Sequence, residues 1–274
     1  MEEVKPATPP GSRSAIWVSG VSKTYRTSGG GEVEALKSVT FAVAEGEFVS
    51  IVGRSGCGKS TLLKIISGLL PPSGGDVEVF GDAVDSPLGS IGFAFQNPLL
   101  MPWRNVLQNV LLPAELVHKS PDEYRQRALE LMSRAGLSGF EGMRPKELSG
   151  GMQQRVAIAR ALLLDPKILL MDEPFGSLDE LTREEMSGEL LRLIQAIRKT
   201  VIFITHSVPE AVLLSDRVVV LSPRPATVSL DLKIDLPRPR SMAARNDPRY
   251  EDYCRAIRES LGLLKPPTGP DAAQ

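Results

Sequence analysis

Short apolar runs of strand length recur through the first third of the chain, at Ile16–Val21, Val39–Val43, Phe48–Val52, Val77–Phe80 and Ile91–Phe95, divided by Gly, Ser and Pro clusters. Val39, Phe41 and Val43 alternate with their neighbours, the period of a strand with one buried face. One helix is predicted among these strands, from Ser60 to about Ile66. Its Leu62, Leu63, Ile65 and Ile66 require burial on more than one side, and Gly68 with Pro71-Pro72 stops it. From Val106 to Leu163 the spacing becomes helical, with Pro121-Asp122-Glu123 opening a charged helix through Ala135 and Ser149 opening another that ends before Asp165-Pro166. Strands return at Lys167–Met171, Val201–Thr205 and Val218–Leu221. With a helix over Leu181–Arg198 they give the βαβ rhythm of a parallel sheet covered by helices. Beyond Pro223, Pro225, Pro237 and Pro239, the residues Tyr250, Tyr253, Ile257, Leu261 and Leu264 fall three or four apart, an amphipathic helical stripe. Residues 1–14, which begin acidic and are rich in proline, and the last ten residues read as loose ends.

Composition narrows the class. Hydrophobic residues make up 42% of the 274, enough for a sizeable core, and no uncharged run approaches the roughly 18 residues of a membrane span. Thirty-two Lys and Arg stand against 33 Asp and Glu, so there is no global basic field to attract nucleic acid or anionic lipid. Cys57 and Cys254 are too few for a disulfide framework and show no metal-ligand spacing, which fits a reducing compartment.

Candidate chemistry concentrates where predicted strands end. Gly53-Arg54-Ser55-Gly56-Cys57-Gly58-Lys59-Ser60-Thr61 lies between a predicted strand and a predicted helix, the context that a G-x-x-x-x-G-K-[ST] phosphate loop requires. Its glycines let backbone N–H groups turn toward a phosphate, the helix start adds partial positive charge, Lys59 supplies a mobile cation, and Ser60 is a ligand for Mg2+. Ile168-Leu169-Leu170-Met171 runs apolar into Asp172 and Glu173. Asp172 is the better candidate for the hydrated metal, and Glu173 for orienting an attacking water. His206 closes the strand Val201–Thr205 at the sheet edge where ligands bind; it either contacts the terminal phosphate or is satisfied by neighbouring backbone. Cys57 is either a small residue turned from the nucleotide or a thiol activated by the helix start. Leu148-Ser149-Gly150-Gly151-Met152 gives a second helix start, capped by Ser149 and receptive to an anion.

At these residues the sequence resembles the ATP-binding cassette family, whose LSGGQ signature stands here as LSGGM and continues as QQRVAIARAL. The resemblance covers roughly residues 15 to 235 and holds the motifs in family order. It implies an α/β fold: a P-loop NTPase core of the RecA-like kind, an antiparallel β subdomain, and a helical subdomain inserted at about 97–163, with 236–274 as a C-terminal extension carrying a short helix. It implies that Tyr25 stacks on adenine and that Gln96 contacts Mg2+ and water while linking the core to the helical insert. Asp172 and Glu173 match the metal and catalytic carboxylates, Ser177-Leu178-Asp179 a loop crossing a dimer interface, and His206 a switch histidine. ATP with Mg2+ would be enclosed between the phosphate loop of one copy and Ser149, Gly150 and Gly151 of the other.

The segment Asn97–Val106 is apolar, broken by Pro98 and Pro102, and carries Trp103; it is either a partner surface or a local core under the insert. In the family this region receives a membrane subunit, and here it resembles importers of nitrate, sulfonate or taurine. The expectation is an ATPase subunit on the cytoplasmic face of the inner membrane, working as a homodimer with a transmembrane permease and, indirectly, a substrate-binding protein, without nucleic acid. A soluble cassette ATPase is the alternative. A small-molecule kinase has no use for Ser149–Gly151 or a hydrolytic Glu173.

Overall fold

The computed structural model describes residues 14–27, 29–176, 178–197 and 199–264. The expected loose ends over residues 1–13 and 265–274, and Ser177, lie outside the described residues. In chain order the elements are β1 (Ser14–Arg26), β2 (Glu32–Ala44), β3 (Phe48–Val52), α1 (Lys59–Ile66), β4 (Gly74–Val79), β5 (Asp82–Ala83), β6 (Ile91–Ala94), α2 (Val106–Leu116), α3 (Pro121–Arg134) and α4 (Gly150–Leu162). They continue as β7 (Ile168–Asp172), α5 (Glu180–Ile197), β8 (Thr200–Thr205), α6 (Val208–Leu214), β9 (Arg217–Leu221), β10 (Val228–Lys233) and α7 (Pro248–Ser260).

Two sheets form. The larger has the order β10-β9-β3-β8-β7-β6; all its pairs are parallel except β10 against β9. Every residue of β3, β7 and β8 is buried, as a parallel sheet covered on both faces demands. The side-chain period of two then divides these strands between clusters. Ile168, Leu170, Ile202 and Ile204 join α1 and the smaller sheet on one face, while Leu169, Met171, Val201 and Phe203 join the helices α2 to α5 on the other. The smaller sheet, β2-β1-β4-β5, is antiparallel. A third cluster packs α6 and α7 against Val52, Val218 and Val220.

The sequence pattern marks most of these elements but misses β5, α6 and β10. Pro209 sits in the first turn of α6, where no backbone N–H is needed, so it starts the helix instead of breaking it. The run Val77–Phe80 ends one residue earlier than expected, at Val79, because Phe80 has a φ of 53° and turns the chain.

Candidate functional site

Strands β3, β7 and β8 are adjacent and parallel, so their carboxyl ends bring Gly53, Asp172 with Glu173, and His206 to one edge. Between β3 and α1 the loop needs glycine most at Gly58. Its φ is 122°, and a Cβ there would stand 2.8 Å from Leu36 Cδ2 and 3.0 Å from the Ala35 carbonyl. No side chain caps the start of α1, so its first amides are left to the loop's own concavity. Lys59 is 4% exposed; its Nζ donates to the carbonyls of Gly53 (3.0 Å) and Arg54 (3.2 Å) and pairs with Glu173 Oε1 at 3.1 Å. Ser60 Oγ donates to Asp172 Oδ1 at 2.8 Å.

Glu173 follows β7 with a φ of 43°, and its Oε2 lies 3.1 Å from His206 Nδ1. Gly176 lies where an added Cβ would be 3.5 Å from Glu173 Oε2 and 3.6 Å from Gln96 Nε2, so those two side chains converge on one spot. Adjacent in sequence, the two carboxylates are driven apart in acidity. Burial pushes Asp172 above its ordinary value against the Ser60 hydrogen bond. Burial also pushes Glu173 up, but Lys59 and His206 together outweigh it and hold the carboxyl below the usual range. Glu173 is thereby an ionised acceptor beside a cation, suited to orienting a water.

Around this centre the remaining loop residues spread. Tyr25, at the end of β1, places its hydroxyl 3.2 Å from Thr61 Oγ1, with Lys23 Nζ 5.6 Å from the centre of its ring. Ser55 and Gly56 are exposed, and Gly56 gives its carbonyl to Arg224 Nη2 at 2.6 Å. The Arg54 guanidinium is bound to carbonyls beyond α7. Cys57 is 2% exposed within the apolar cluster of α1, and burial pushes its thiol up, which favours the small packed residue over the activated thiol.

Ser149, Gly150 and Gly151 stand elsewhere. Ser149 Oγ accepts the Met152 amide at 3.3 Å, and Ser149 and Gly150 are exposed. Added Cβ atoms at Gly150 and Gly151 would meet Leu178 Cδ2 at 3.5 Å and Thr182 Cγ2 at 3.3 Å, so the signature rests on the start of α5. There Asp179 Oδ1 accepts the Thr182 amide at 3.0 Å, and the Thr182 side chain first, then this amide, holds that carboxyl below its usual range. Among the described residues, no hydrogen bond or ion pair joins Ser149–Gly151 or Asp179 to Gly53–Thr61.

Several supporting residues escaped the sequence reading. Gln154, 2% exposed in α4, donates to the Phe95 carbonyl at 3.0 Å, tying the signature helix to the residue before Gln96. Glu210, buried in α6, accepts from Thr205 Oγ1 beside His206. Their only sequence signal is a polar residue on an apolar helix. Trp103 is 69% exposed, in a segment held underneath by Asn109, which accepts the Met101 amide at 2.7 Å, and by Arg160, which donates to the Pro98 and Leu99 carbonyls. Nearby, Phe93, Phe95, Leu112, Leu116 and Leu164 line a groove of about 270 Å3.

The sequence model of the family described as ABC transporter matches residues 36–176. The chain belongs to the ATP-binding cassette family. The cassette is 43% identical to a nitrate import ATP-binding protein of Synechococcus elongatus, over 84% of this chain and 85% of the relative. It is 48% identical to a taurine import ATP-binding protein of Rhizobium johnstonii, over 76% and 80%. Among solved structures it is similar to a dimeric post-hydrolysis state of an ATP-binding cassette bound to ADP and Pi, with a TM-score of 0.69 and 38% identity over 80% of this chain and 98% of that one. The two-sheet architecture is therefore that of a P-loop ATPase. Among the described residues no helix is long and apolar enough to cross a membrane.

Proposed function

We propose that two copies of the cassette hydrolyse ATP between them and so drive a membrane permease that imports a small polar compound such as nitrate, sulfonate or taurine. The observation that carries this reading is the division of the site. Lys59, Ser60, Gln96, Asp172, Glu173 and His206 converge at one sheet edge, whereas Ser149 and Gly150, exposed, and Gly151, buried, form a helix start that no hydrogen bond or ion pair among the described residues joins to them. A triphosphate held by the first set has one side left for the second set of another copy, and binding that joins two copies stabilises the dimer by mass action. The nitrate and taurine import relatives support the direction and the kind of cargo.

Within each site Gly53, Arg54, Ser55, Gly56, Cys57, Gly58 and Thr61 contribute backbone to the loop, Lys59 neutralises phosphate charge, and Tyr25 stacks on the base. The oxygen pair Ser60 and Asp172 fits Mg2+. Among the described residues no cluster of three or more His, Cys, Asp or Glu is able to hold a metal, and Ser60 and Asp172, with Gln96, would hold the cation together with the nucleotide. Bound there, Mg2+ supplies charge neutralisation at the phosphate oxygens. Glu173 orients the water that attacks the terminal phosphorus, and His206 holds Glu173. Asp179 steadies the loop between the copies. The cassette works at the cytoplasmic face of the membrane, where the permease, fed by a substrate-binding protein, covers Trp103 and the groove beside it.

Glu173→Gln removes the charge that orients water and keeps the loop intact. With saturating Mg-ATP, sedimentation velocity of this variant should show a dimer that disappears without nucleotide; a monomer under both conditions rejects the reading.

A further inference from the structure

Arg54, the second residue of the phosphate loop, is bound by a segment 207 residues away. Its Nε and Nη2 donate to the Leu261 carbonyl at 3.2 and 3.1 Å, and Nη2 reaches the Gly262 carbonyl at 3.4 Å. These carbonyls belong to the turn that ends α7. Gly262 takes a φ of 67°, its amide bonds to the Glu259 carbonyl at 2.9 Å, and the Leu263 amide bonds to the Arg258 carbonyl at 2.9 Å. A left-handed glycine cap of this kind satisfies the earlier carbonyls of the helix and leaves the later ones free for a cation, which also meets the negative end of the helix dipole. A Cβ at Gly262 would stand 3.4 Å from Arg54 Nη2.

The contact is fixed at both ends. Tyr250, Cys254, Ile257 and Leu261 bury α7 against α6 and β9, and the Tyr250 hydroxyl donates to the Pro209 carbonyl at 2.9 Å. On the other side the Arg54 carbonyl accepts both the Cys57 amide and Lys59 Nζ, each at 3.2 Å. The main chain at Arg54 is thus a junction inside the loop, and its side chain ties that junction to α7.

We infer that Arg54 is a positioning residue through which α7 pre-forms the phosphate loop, so that affinity for ATP depends on a contact with the C-terminal extension. The inference rests on the assignment of residues 53–61 to the triphosphate. A loop containing Gly53, Gly56 and Gly58 has many conformers to lose when it closes on an anion, and a tether that removes them beforehand lowers the cost of binding.

The test is titration of the full chain with the fluorescent analogue mant-ATP and Mg2+, each variant being checked for a cooperative thermal melt. Arg54→Gln and Gly262→Ala should each weaken binding about fivefold. The double variant should be no weaker than either alone within about twofold, since both cut one tether. Arg54→Lys should recover part of the affinity, and steady-state hydrolysis by Gly262→Ala should show the rise in KM with kcat within about twofold of the parent. Wild-type affinity in Gly262→Ala, an additive double variant, or tighter binding in either single variant overturns the tether. If Arg54→Gln fails to fold, Gly262→Ala decides alone by the same criteria. Lys59→Ala separates the two ideas: if it alone loses mant-ATP the tether fails and the loop assignment stands, and if it binds as the parent does the assignment itself fails, and the tether with it.

Discussion

Helices α1 and α4 both begin beside glycine, and both present amides to an anion, but their surroundings differ. The start of α1 has no side-chain cap; the loop closes around it, and Lys59 is buried within reach of the loop carbonyls and Glu173. The start of α4 is capped by Ser149, and Ser149 and Gly150 face outward with, among the described residues, no cation joined to them. An exposed helix end is worth only about 0.3 to 1 kcal/mol to an anion, whereas inward amides and a desolvated cation act together at much lower dielectric. Anion binding is therefore a property of enclosure more than of the helix, and on the proposed reading α4 gains its anion only from another copy.

The largest effect should come from the enclosed end. Lys59→Ala deletes the cation and leaves Glu173 half-buried without it, and hydrolysis should fall about a thousandfold in a phosphate-release assay. Residual activity within tenfold of the parent would mean that the loop amides suffice. At the open end, Gly150→Asp places a carboxylate where the helix dipole welcomes it. The thermal midpoint should stay level or rise slightly, while hydrolysis falls about a hundredfold and mant-ATP still binds the single copy. Unchanged hydrolysis would show that α4 never meets the phosphates. The smallest effect should come from the other end of α4. There Asp165, hydrogen-bonded to Lys199 and Arg127, borders the carbonyls of Leu162 and Leu163 that Arg127 holds. These partners, Lys199 first, keep the Asp165 carboxyl below its ordinary value. Its stabilisation is present above the unfolded pKa of about 3.9 and is lost as pH falls through the lower folded one. Asp165→Asn should lower stability by less than about 1 kcal/mol at neutral pH, with the difference vanishing in acid and hydrolysis unchanged.

What could be read in advance divides along a similar line. The phosphate loop, the Asp172-Glu173 pair and His206 are local patterns at strand ends, so spacing revealed them together with the parallel sheet. Strands β1 and β2 run through 13 residues each, well past their apolar runs. One face of that antiparallel ribbon carries Ser, Thr, Lys and Glu, and shifts in register interrupt the alternation that a reader of the sequence follows. The bond from Gln154 to the Phe95 carbonyl spans 59 residues, and that from Arg54 to Leu261 spans 207. Neither leaves a periodic trace, because each joins one side chain to a backbone oxygen that any residue supplies.

The backbone at Glu173 draws these threads to one atom group. A left-handed φ in a residue with a Cβ costs on the order of 1 kcal/mol, and glycine would relieve it. Yet only a carboxylate at that kink reaches Lys59 and His206 at once. Glycine would also leave Lys59, 4% exposed, without its carboxylate, a loss larger than the strain it relieves, so selection for heat resistance alone should keep the kink and its side chain together.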